Sequence, residues 1–115
     1  MSFLHILKII AAIGTAGTGL LSLIWPRSVF EFTGLTAPGP RGITEIRAVL
    51  GGLFIGLGLA PFLLKQSPAV YQALGIMYLA IALVRLVSMI IDKSIVQSNI
   101  ISWVVEIIFG VILIW

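Results

Sequence analysis

Eight polar side chains in the apolar stretches of this sequence could do chemistry: Glu45, Arg47, Arg85, Ser88, Asp92, Asn99, Ser102 and Glu106. Glu45, Arg47, Arg85 and Glu106 stand among long apolar runs, and each would cost about 2.5–3.5 kcal/mol if left alone at the centre of a membrane helix. With two of each sign, the set is neutral, and meeting one another removes most of that cost. Glu45 and Arg47 cannot pair along one helix, because positions i and i+2 point about 200° apart. Arg85 lies at a depth between Glu45 and Glu106. Its long, forked side chain suits either carboxylate, so it reads as the hub, with Glu106 as first partner and Glu45 as second. Arg47 can extend outward toward Asp92 or Glu31. Tyr71, Tyr78, Arg85 and Asp92 recur at intervals of seven with Ser88 between the last two, which places them along one helix face. Asn99, Ser102 and Glu106 form a face of the next helix.

Two kinds of chemistry suit such a set. It can be a polar clamp that fixes helix register, or the wall of a small cavity for a polar headgroup, a quinone or a proton, since intramembrane ionisable groups are functional candidates. No serine or threonine lies beside a base in a nucleophile pattern, so no enzyme is expected and no catalytic residue is assigned. His5 is the sole histidine. A metal site needs several convergent ligands, so none is expected, and His5 reads as interfacial, with axial ligation of a pigment as the remaining use. No cofactor is implied beyond a quinone, lipid or pigment. The glycine-rich runs GTAGTG and GLGLAP follow no strand and lie inside apolar helices, which excludes a nucleotide loop.

The elements that position these residues follow from composition. The chain has 115 residues, 60% hydrophobic, 10% charged and without cysteine, and a mean hydropathy of +1.21. Soluble domains carry about a quarter charged residues. A membrane helix takes about 20 apolar residues, so the expected fold is all-α: a single integral-membrane domain over 1–115, an antiparallel four-helix bundle. The helices are expected at about 3–25, 43–64, 68–91 and 96–115. The first is too long for a signal-peptide core and lacks a following small-residue cleavage site, so it is read as retained. Residues 26–42 form the interfacial loop, with Val29, Phe30 and Phe32 on a short helix in the headgroup layer.

Ala48, Gly52, Gly56 and Ala60 recur at strict i+4 spacing. In lipid, close approach through small side chains is what packs helices, so this stripe is expected to pack within the bundle or, alternatively, against a second copy. The expected partners are membrane lipids and other membrane subunits or the chain itself. With no basic cluster interleaved with aromatics, nucleic acid is not expected. Lys8 and Lys65 lie at the end holding both termini. Arg27, Arg41 and Lys93 lie at the other, with Arg47 and Arg85 deeper, so the positive-inside rule places both termini outside the cytoplasm.

The stretches EIRAVLGG (Glu45 to Gly52) and RLVSMIID (Arg85 to Asp92), with Glu106 and Gly110 on the last helix, resemble the signature of a bacterial four-helix membrane family of unknown function, grouped with DoxX-like proteins. The sequence departs from that pattern at Val84 and Lys93, where the family often has glycine. The resemblance implies four helices in a bacterial inner membrane and importance for the same charged set, and some DoxX-like proteins are similar to subunits of quinone-linked oxidoreductases. On these grounds the expected role is a non-enzymatic accessory or scaffold subunit of a larger membrane complex. The alternative is a small-ligand module that handles quinone, lipid or protons through the Arg/Glu network.

Overall fold

The computed structural model describes residues 2–115. Helix α1 spans Phe3–Ile24 and the short helix α2 spans Ser28–Thr33. Helix α3 spans Pro40–Leu63, α4 spans Pro68–Ile91 and α5 spans Gln97–Ile114. No strand occurs among the described residues. The four long helices, α1, α3, α4 and α5, are each long and apolar enough to cross a membrane. Local chemistry sets the ends. Pro68 follows Ser67, whose extended backbone (ψ 132°) suits the position before proline. Gly34 closes α2 at φ 77°, a left-handed conformation open to glycine at little cost. Helix α3 begins at Pro40, three residues before the expected start, because proline fits the first helical turn, where its missing N–H has no partner to lose.

The chain divides into two compact units, one made of Ile9–Lys65 and the other of Gln66–Trp115 with the chain up to Lys8. In the first, α1 and α3 meet through bare backbone. A methyl group on Gly19 would lie 2.6 Å from the Gly51 carbonyl oxygen, and one on Gly58 would lie 2.4 Å from the Ala16 nitrogen. Hydroxyls on α1 turn back on their own helix: Thr15 and Thr18 donate to the carbonyls of Ala11 and Gly14. In the second unit, α4 and α5 form a hairpin. Gly75 abuts Gly110 and Ile114 at one end, Tyr78 meets Phe109 edge to face, and Arg85 reaches Glu106 and Asn99 toward the other.

The residues of α3 that meet α1 are not those of the i+4 stripe. Ala48, Gly52 and Gly56 are exposed, Ala60 is half-buried, and a methyl group on Gly52 or Gly56 would meet nothing within 4 Å. The buried positions are Ile46, Gly51, Gly58 and Pro61. The reason lies in Ile46–Leu53, which is π-helical. Over this span each backbone hydrogen bond reaches back five residues instead of four, which widens the turn and shifts the phase of the helix, and the later steps of seven and three between buried positions are α-helical. A stripe counted at i+4 throughout therefore leaves the contact face.

Candidate functional site

The polar site of the Gln66–Trp115 unit is built on facing turns of α4 and α5. Arg85 donates from Nε to Glu106 Oε1 at 2.8 Å and from Nη2 to Glu106 Oε2 at 2.7 Å. This is the two-pronged arrangement that a planar guanidinium and a carboxylate favour. Nη1 donates to Asn99 Oδ1 at 2.9 Å. Asn99 is itself held, because its Nδ2 donates to the Ser94 carbonyl at 2.9 Å. That bond ties the loop before α5 to the arginine. Glu106 is buried, and the Arg85 side chain keeps 29% of its exposure. A guanidinium carries five N–H donors. Three are engaged among the described residues, which leaves one hydrogen on Nη1 and one on Nη2. Arg85, Ser88 and Asn99 line an open cleft of about 480 Å³ with Ala80, Ile81 and Val84.

The seven-residue spacing on α4 reads out as a gradual rotation. An α-helix falls about 20° short of closing each heptad. Tyr71 and Tyr78 are buried, Arg85 is half-buried, and Asp92 at the helix end is exposed. Asp92 folds back, and its Oδ2 accepts a 2.6 Å hydrogen bond from the Ser88 hydroxyl. Ser88 and Asp92 border a second groove of about 420 Å³ with Leu83, Val84, Val87 and Ile91. Val84 and Ser88 belong to both grooves.

Of the residues singled out by sequence, Arg85, Asn99 and Glu106 form one hydrogen-bonded set, and Ser88 with Asp92 forms a second beside it. Ser102 is half-buried on α5. Glu45, expected as the second carboxylate on Arg85, is paired with Arg41 one turn earlier on α3. Both side chains are exposed, and positions i and i+4 lie on one face of a helix within reach of each other. Arg47 is exposed and joins no ion pair among the described residues.

A further polar cluster was not legible as such. His5 Nε2 lies 2.7 Å from Gln66 Oε1, the Tyr71 hydroxyl donates to the same oxygen at 3.2 Å, and the His5 and Tyr71 rings meet edge to face. Gln66 follows Lys65 in a turn where both residues have positive φ, 53° and 60°. His5 and Gln66 are 61 residues apart, and neither spacing nor composition announces the pairing. No group of three or more His, Asp or Glu side chains converges to hold a metal among the described residues.

Residues 3–115 match the family described as Domain of unknown function (DUF4345), and the chain belongs to that family. No curated protein and no solved structure matches the chain.

Proposed function

We propose, from membership of this family and the site just described, that the chain is a non-enzymatic integral membrane protein that acts as an accessory or scaffold subunit of a larger membrane complex. The observation that carries this reading is the closure of the Arg85–Glu106 pair. Both carboxylate oxygens are engaged by one guanidinium, so this charge joins α4 to α5 and offers no free acid or base for catalysis. The helix surfaces support the membrane part. Leu83, Val84, Ile90 and Ile91 are 63–71% exposed, and such faces suit lipid or other helices rather than water. DoxX-like four-helix proteins supply the analogy for the bundle, a bacterial inner membrane supplies the location, and the basic residues near the α1–α3 and α4–α5 connections favour termini outside the cytoplasm. Purification of the tagged chain in mild detergent tests the role. The expected result is a stable complex with other membrane subunits that survives size exclusion, and a chain that always elutes alone would overturn it.

One observation favours a second reading, a small-ligand module. Arg85, which has two N–H groups unengaged among the described residues, lines a cleft with Ala80, Ile81 and Val84. Among the ligands in view, it suits a quinone or lipid better than a proton, since Glu106 is already committed to Arg85.

A further inference from the structure

The two grooves on α4 differ in their polar ends and share a divide. One carries the spare donors of Arg85, with Asn99 beside them. The other carries the carboxylate of Asp92, whose one hydrogen bond among the described residues comes from Ser88. The divide is Val84 and Ser88, which border both. From this polar end each groove runs back along α4 over apolar side chains, one past Ile81 and Ala80, the other past Val87 and Leu83. Two apolar channels leaving one polar junction in the same direction match a molecule with two chains and one head.

Charge narrows the head. The charged residues that line the two grooves are one of each sign, Arg85 in the first and Asp92 in the second. An anionic head would meet the Asp92 carboxylate of the second groove as well as the Arg85 guanidinium of the first. A cationic head would meet Arg85. A zwitterion with its anionic oxygens on the Arg85 side and its cation on the Asp92 side satisfies both. The spacing suits one headgroup. Arg85 and Ser88 are three residues apart, about 4.5 Å of helix rise, and Asp92 is drawn back to Ser88 by its hydrogen bond. A carboxylate with free lone pairs also prefers an ammonium that can donate N–H bonds over a quaternary ammonium that cannot.

We propose that this face of α4 and α5 holds a two-chain zwitterionic phospholipid with a primary amine, its phosphate or ester oxygens on the free Arg85 N–H groups, its ammonium on Asp92 and its chains in the two grooves. This rests on the membrane-spanning part of the proposed function and not on the accessory-subunit role.

The test is native mass spectrometry of the full chain, taken from membranes that have been washed with alkaline carbonate and exchanged into defined lipids. Phosphatidylethanolamine, phosphatidylcholine and phosphatidylglycerol of matched chains serve as probes. Ethanolamine lipid is expected to be retained about tenfold over glycerol lipid, the factor a single charge-assisted hydrogen bond supplies. Asp92→Asn, at an exposed position, should bring ethanolamine and choline lipids level. Ser88→Leu should lower retention of all three by filling both grooves. Soluble glycerophosphoethanolamine should fail to displace the lipid; displacement would mean that the chains contribute nothing and overturn the two-groove site. Equal retention of the three lipids, preference for the anionic one, or an unchanged preference in Asp92→Asn would also overturn it. Release of the chain by the carbonate wash would instead overturn the membrane reading itself, so the two failures are distinct.

Discussion

Removing the Arg85 side chain should harm the fold more than removing both members of its pair. Arg85→Leu deletes two N–H···O bonds to Glu106 and one to Asn99. It leaves a carboxylate that keeps only 11% of its exposure. Stranding one partner of a buried ion pair costs about 3–5 kcal/mol. Because 29% of the Arg85 side chain remains exposed, the lower end of that range applies, about 3 kcal/mol. Glu106→Gln alone keeps an acceptor for Nε but removes the charge, a loss of about 1.5 kcal/mol for a hydrogen bond to a charged group. With both changes, no charge is stranded and the total should be near 2.5 kcal/mol, well short of the sum of the single losses. The expected coupling is thus about 2 kcal/mol, a factor near 30 in the folding equilibrium. Reversible unfolding in mixed micelles can follow it, using the fluorescence of Trp103 on α5, one turn from Glu106. Losses that add to within about 0.5 kcal/mol would show that the two side chains act independently and refute the clamp.

Three further outcomes test the packing and topology. Gly58→Ala should lower stability by about 1–3 kcal/mol, because its new methyl group meets the α1 backbone, whereas Gly52→Ala and Gly56→Ala should be neutral or raise stability by up to about 1 kcal/mol. Thermal melts in one detergent decide this, and damage at Gly52 equal to that at Gly58 would place the exposed stripe in a contact with another chain. Lys65→Gly should gain about 1 kcal/mol by relieving a left-handed backbone, while Gln66→Gly should lose more than it gains, since it removes the oxygen that His5 and Tyr71 share. Equal effects at the two positions would mean that this cluster adds nothing. The chain has no cysteine, so single cysteines at Ser2, Ser67 and Gly39 can be labelled from one side of a sealed vesicle. Positions 2 and 67 should react together and 39 from the opposite side, and joint labelling of 2 and 39 would contradict four crossings.

The four long helices were legible from the sequence because apolar runs of about 20 residues have few other solutions, and their ends because proline and glycine act locally, as at Pro68 and Gly34. The partnership of Arg85 with Glu106 was also within reach of the sequence: depth along a helix follows from a constant rise, and opposite charges in apolar surroundings have strong reason to meet. What depends on side-chain direction was not legible. Glu45 meets Arg41 one turn away on the same helix, a local contact that a reading by depth passes over. The contact face of α3 includes a π-helical stretch whose wider turn shifts the helical phase, with Gly51 inward and Gly52 outward. That choice belongs to the packing of α3 against α1, where two backbones approach within reach of a single methyl group, and a helical period read along one segment carries no record of it.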